Sequence, residues 1–212
     1  LAVSKLVSAR MAAGQPKAAY KIFKCTLTFA LVSGGIGALL IFFGAGFFSD
    51  VLVNTPESKL ALQVLAPTIL VVAVMGCMRG YFQGLGTMVP TAVSQIVEQI
   101  INAAVSIGAA YVLFHYGLKI DAVLGTKTAA YAYGAAGSTL GTGLGALSGL
   151  LFLAFLVAAY RHVMRRKMAV SREERREEST AEIYYMLILT IMPVILSTAV
   201  YNLSGIIDQG IF

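Results

Sequence analysis

Charge is scarce in this chain. Asp, Glu, Lys and Arg make up 12% of its 212 residues, against about 25% in soluble domains. Hydrophobic residues make up 58%, and a soluble fold of this length has too much surface for its volume to bury them. Cysteine is scarcer still. Cys25 and Cys77 stand alone in or beside apolar stretches, without metal or redox spacing, and read as small core residues. The two histidines, His115 and His162, lie at the ends of apolar stretches with no Cys, Asp or His at ligand spacing. No Ser-His-Asp arrangement and no paired carboxylates stand out. These shortages argue against a soluble enzyme, a zinc domain and a disulfide scaffold, and no metal or cofactor is expected.

Long apolar stretches are abundant instead. Five stand out: about Cys25 to Phe48, Leu60 to Cys77, Val89 to Phe114, Ala129 to Tyr160, and Ile183 to about Ile207. A helix needs roughly 20 such residues to cross a bilayer. The expected fold class is all-α, a polytopic transmembrane helix bundle with the lipid bilayer as its first partner. Leu1 to Val7 reads as the tail of an earlier helix. The chain opens at Leu1 within an apolar-to-basic transition and stops at Phe212 within an apolar stretch, so it reads as a fragment.

The basic residues give an orientation. Apart from Lys59, Lys119 and Lys127, every Lys and Arg falls in segments 1–24, 79–88 or 161–182. These segments alternate so that they share one side of the membrane. The positive-inside rule makes that side the cytoplasm of a multi-pass cell-membrane protein. It also explains the net charge of +6 without nucleic acid, since no aromatic platform is interleaved with the cations. Segment 161–182 is dense in Arg and Glu, and Glu173 to Glu178 offer opposite-charge pairs at helical spacing. It reads either as a helical linker between membrane units or as a solvated loop.

Of the ten acids only Glu98 and Asp208 fall within apolar spans. An ionised side chain at mid-membrane costs about 2.5–3.5 kcal/mol on insertion scales, so it is a functional candidate and must face protein or water. Thr91, Ser94, Gln95, Glu98, Asn102 and Ser106 recur at helical spacing and form one polar stripe. Interhelical hydrogen bonds would explain such a stripe; a cavity wall explains the carboxyl as well. Ser197, Tyr201, Ser204 and Asp208 share a face of the last span, with Asn202 and Gln209 beside it and Pro193 near its middle. Asp208 is equally placed to be an interfacial residue.

Gly137, Gly141, Gly145 and Gly149 fall at four-residue intervals, which puts them on one helix face and admits a close neighbour. Gly141 to Gly145 has the look of a nucleotide loop, but no strand precedes it and the region is membrane-length.

The run from Arg79 through Gly80-Tyr81-Phe82-Gln83-Gly84 and Pro90-Thr91-Ala92-Val93-Ser94-Gln95 to Glu98-Gln99 resembles the signature of bacterial polysaccharide-biosynthesis flippases. It is most similar to the stage V sporulation protein B group of the multidrug/oligosaccharidyl-lipid/polysaccharide exporter superfamily. Ala2 to Ser8 resembles that group's second-helix end, and Gly134 to Thr142 its sixth helix. The resemblance implies a two-lobe exporter working by alternating access. On that reading residues 1–160 hold the end of helix 2 and helices 3 to 6 of the N-lobe. Residues 161–182 form the cytoplasmic inter-lobe linker, and 183–212 start helix 7 of the C-lobe. It further implies an undecaprenyl-linked saccharide as substrate and no covalent chemistry. Lys5 and Arg79 are the nearest basic candidates for an anionic headgroup, although topology also accounts for both. The cavity candidates are therefore Glu98, Ser94, Gln95, Asn102, Thr91, Tyr201, Asn202, Asp208, Lys5 and Arg79. A cation-coupled drug exporter of the same superfamily is the rival, with Glu98 as a proton or sodium site. A membrane-embedded glycosyltransferase or polymerase ranks below, because it needs an acid cluster or a large extramembrane loop.

Overall fold

The computed structural model describes residues 2–47, 49, 58–125, 128–170 and 179–211. Six helices follow one another: α1 (Ala2–Ala12), α2 (Pro16–Phe47), α3 (Ser58–Gly84), α4 (Val89–Leu124), α5 (Ala129–Val170) and α6 (Thr180–Ile211). No strand occurs among the described residues. The five helices after α1 are each long and apolar enough to cross a membrane. The molecule is a polytopic helical bundle.

The helices overrun the apolar stretches, because a helix continues until a residue stops it. Between α1 and α2 the stop is Gly14 at φ 72, and Pro16 then opens α2, where its missing N–H costs nothing. Between α3 and α4 it is Gly86 at φ 85, a conformation that strains any residue with a Cβ. Pro90 follows in the first turn of α4. At the far end of α4 the Asp121 carboxylate accepts the Ala129 N–H at 3.0 Å and the Ala130 N–H at 2.9 Å. It thereby caps two orphan donors and meets the positive end of the α5 dipole. Asp121 thus belongs to a helix end.

Two differences from the sequence limits matter. The second apolar stretch ends at Cys77, but α3 runs on to Gly84, which places Arg79 inside a helix and shortens the turn to residues 85–88. The fourth stretch ends at Tyr160, yet α5 continues to Val170. At 42 residues it is about 63 Å long at 1.5 Å per residue, twice the hydrocarbon thickness. The first part of segment 161–182 is therefore a helical extension of α5; residues 171–178, with their Arg–Glu pairs, lie outside the described residues.

The core lies at the basic end. Val7, Ile22, Phe23, Tyr81, Met164, Ile183 and Leu187 are buried in one cluster, which joins α1, α2, α3, α5 and the first turns of α6. Phe23 stacks on Tyr81 with ring centroids 4.2 Å apart. This cluster draws the three basic segments to one end of the bundle. Met75, Phe82, Ala146 and Leu153 form a second cluster between α3 and α5. Small residues set the closest approaches: a Cβ on Gly84 would come within 2.6 Å of the Val7 Cβ, so α1 lies directly against α3.

Candidate functional site

Where α3 and α4 leave their shared turn, two charged side chains meet. The Arg79 guanidinium donates to the Glu98 carboxylate at 2.6 Å and, through Nε, to the Ser94 hydroxyl at 3.0 Å. Ser94 in turn donates to the Thr91 carbonyl at 2.8 Å. Arg79 lies five residues from the end of α3 and Glu98 nine residues beyond the start of α4. The pair is therefore on the order of 10 Å along the helices from the turn at 1.5 Å per residue. The two side chains are 16% and 18% exposed, so the ion pair is mostly withdrawn from solvent without being sealed off. Such a pair costs desolvation and gains back Coulomb and hydrogen-bond energy only with good geometry. Here a second acceptor, Ser94, fully buried, holds the guanidinium in place.

The stripe on α4 is partly a packing surface. The glycine face of α5 lies against it. A Cβ on Gly145 would come within 2.8 Å of the Glu98 carbonyl oxygen and of the Asn102 Cβ, and one on Gly137 within 2.6 Å of the Ala109 carbonyl oxygen. One on Gly141 would overlap Ser106, and one on Gly149 would meet the Met75 sulfur at 3.1 Å and the Ser94 carbonyl oxygen at 3.4 Å. The Ser106 hydroxyl lies 2.8 Å from Asn102 Oδ1 and 3.0 Å from the Ser138 carbonyl oxygen. The stripe thus bonds helix to helix at two places: Ser106 meets the Ser138 carbonyl of α5, and Ser94 and Glu98 hold Arg79 of α3.

The remaining candidates separate. Thr91 is buried next to the pair, and its hydroxyl has no hydrogen-bond partner among the described residues. Gln95 is exposed and takes no part in the Arg79 contacts. Lys5 is exposed on α1. Tyr201 is 80% exposed and Asn202 exposed, on the part of α6 that extends beyond the core; neither joins Glu98. The Asp208 side chain lies outside the described set. No group of three His, Cys, Asp or Glu able to hold a metal occurs among the described residues. What sequence spacing missed is the partner of Glu98. Arg79 stood out there as a topological charge and a headgroup candidate, and only the meeting of α3 and α4 makes it a counter-ion.

Comparison with known proteins agrees with this architecture. The chain is 27% identical over 165 residues to the stage V sporulation protein B of Bacillus subtilis, covering 78% of this chain and 29% of that protein. It is 31% identical over 147 residues to the lipid II flippase MurJ of the same organism, covering 64% of this chain and 27% of that protein. The chain thus spans less than a third of the length of either relative. No solved structure matches. The MatE family model matches residues 1–108, a region that runs from α1 through the Arg79–Glu98 pair into the middle of α4. The chain belongs to the MatE family.

Proposed function

We propose that this chain forms part of an alternating-access flippase that moves a lipid-linked saccharide precursor outward across the cell membrane. Its relatives carry the names of a lipid II flippase and a sporulation protein, and its five apolar helices suit a membrane transporter. The observation that carries the reading is the mostly buried Arg79–Glu98 pair, which lies within two helices long and apolar enough to cross a membrane. Insertion energetics penalise both charges there, and a packing role alone is served more cheaply by apolar residues. An arginine fork suits the oxygens of a phosphorylated headgroup, and Glu98 serves as its resting counter-ion. The same pairing disfavours the drug-exporter reading. A sodium ion or proton at Glu98 would have to replace a guanidinium already 2.6 Å away. No covalent chemistry is required of any residue in this site.

The test is translocation of a lipid-linked saccharide in vesicles by the full-length protein. Glu98→Gln alone would leave Arg79 as an unpaired cation, so the clean variant is Arg79→Gln with Glu98→Gln, which removes both charges and keeps hydrogen bonding. It should remain folded and lose translocation by about tenfold or more, equivalent to about 1.4 kcal/mol in the barrier. A folded double variant with wild-type rates would reduce the pair to helix glue and defeat the proposal.

A further inference from the structure

Aromatic rings gather where α4 and α5 meet, at the end of the bundle away from the basic segments. Tyr111, Phe114, His115 and Tyr116 come from α4, and Tyr131 and Tyr133 from α5. Ring centroids lie 4.3 Å apart for Tyr111 and His115, 6.1 Å for Phe114 and Tyr131, and 5.6 Å for Tyr116 and Tyr133. The last two contacts cross between the helices on opposite flanks. Phe114 and Tyr116 are neighbours but one, and at about 100° per residue they point about 160° away from each other. The same holds for Tyr131 and Tyr133. The rings therefore surround the hairpin at one level, and Tyr111, Tyr116 and Tyr131 remain exposed. Just beyond them the helices are pressed together, since a Cβ on Gly117 would come within 2.5 Å of the Ala130 Cα.

Charge brackets this level. From Val89 to Phe114 the sole charged residue is Glu98; His115, Lys119 and Asp121 follow. From Ala129 to Tyr160 α5 carries no charged residue, and Arg161 comes next. Between the outer pair, Tyr131 and Tyr133, and Tyr160, α5 rises about 40–44 Å at 1.5 Å per residue. A bilayer with its headgroups is about 40–45 Å thick. On α2 the matching inner position is Tyr20, whose ring centroid lies 4.9 Å from the Lys24 Nζ. A tyrosine ring has an apolar body and a polar tip, which suits the depth where hydrocarbon gives way to headgroups. A docked protein would cover one flank of the hairpin; rings on both flanks at one level match a slab. We infer that these rings form a girdle seated in the headgroup region of the outer leaflet. The bilayer interface is then the partner of this surface, and α4 beyond Tyr116 stands about 12 Å clear of it. The girdle also sets the depth of the ion pair. Gly149, which faces Ser94 and Glu98, lies about 16 Å along α5 from Tyr160 and about 24 Å from Tyr133. The pair therefore sits in the cytoplasmic half of the membrane. None of this depends on what the protein transports.

The experiment uses the full-length protein with Ile100→Cys, Tyr116→Cys or Val123→Cys, all exposed positions, labelled with bimane in phosphatidylcholine vesicles. The native Cys25 and Cys77 are buried and set the background. Three quenchers are compared: lipid brominated deep in the acyl chain, lipid brominated high on the chain, and aqueous iodide. Ile100→Cys should respond most to the deep bromines, Tyr116→Cys to the shallow ones, and Val123→Cys to iodide. Iodide quenching at Tyr116→Cys equal to that at Val123→Cys would overturn the inference, because the rings then stand in water and await a soluble partner. Strongest quenching there by the deep bromines would overturn it too, as would no quenching by any of the three, which means that protein covers the rings. A second measurement isolates the rings themselves. Tyr111→Leu, Tyr116→Leu and Tyr131→Leu are combined with Val123→Cys and placed in vesicles of long-chain lipid. Iodide quenching should fall about twofold as the hairpin sinks into the thicker bilayer, while the parent with Val123→Cys holds its level. Equal quenching in the two proteins would show that the rings do not set the depth. The cysteine series leaves at least two of these three tyrosines in place, so it decides the seating even if the leucine variant fails to fold.

Discussion

Replacing Gly141 by Ala adds a single methyl group, and the structure gives its consequence. The new Cβ would lie 2.6 Å from the Ser106 Cα and closer still to the Ser106 nitrogen and hydroxyl. Carbon atoms in contact sit about 3.5–4.0 Å apart, so α4 and α5 must separate locally by roughly 1 Å. The obstruction is mainly backbone, which a rotamer change cannot relieve. Overpacking of this kind costs about 1–3 kcal/mol, and the rigid neighbour places Gly141→Ala toward the upper end. Gly108→Ala is the matched control. It lies on α4, two residues beyond Ser106, and its Cβ would meet nothing within 4 Å. There the only effect is the helix preference of Ala over Gly, up to about 1 kcal/mol in favour of the variant. Both variants are made in the full-length protein, extracted in mild detergent, and heated before size-exclusion chromatography. The midpoint for loss of the monodisperse peak should fall in Gly141→Ala and hold or rise in Gly108→Ala. Coincident midpoints would refute the claim that the glycine face sets the α4–α5 distance.

Two further predictions follow from the charges. Arg79→Met leaves Glu98 without its counter-ion and should lower the same midpoint by the equivalent of about 3 kcal/mol, while adding Glu98→Gln should recover most of the loss; equal midpoints in the single and double variants would show that the two charges are not coupled. Asp121→Ala removes the acceptor for the Ala129 and Ala130 N–H groups and should cost about 0.5–2 kcal/mol, read by the same assay, with Asp121→Asn milder than Asp121→Ala; an unshifted midpoint in the alanine variant would remove the capping role.

Fold class, span number and the shared side of the basic segments were legible in the sequence because they depend on local composition. Twenty apolar residues meet the length of a bilayer wherever they occur, and 58% hydrophobic residues admit no soluble alternative. The glycine face was also legible, since a four-residue interval fixes a helix face before any neighbour is known. What faces it was not. That α4 fills the seam, with Ser106 against Gly141, depends on how α4 and α5 fold back on each other. The α4 polar stripe showed the same limit. Its periodicity was plain, but the division between Ser94 and Glu98, which hold Arg79, and Gln95, which remains exposed, follows from where α3 and α5 sit around it. Arg79 and Glu98 lie nineteen residues apart on different helices, and no helical or strand period links them. The sequence determined which residues must leave the lipid, because hydrocarbon penalises each of them alone; the tertiary structure decided which of them meet, because an ion pair requires two helices to bring separate side chains within a few ångströms.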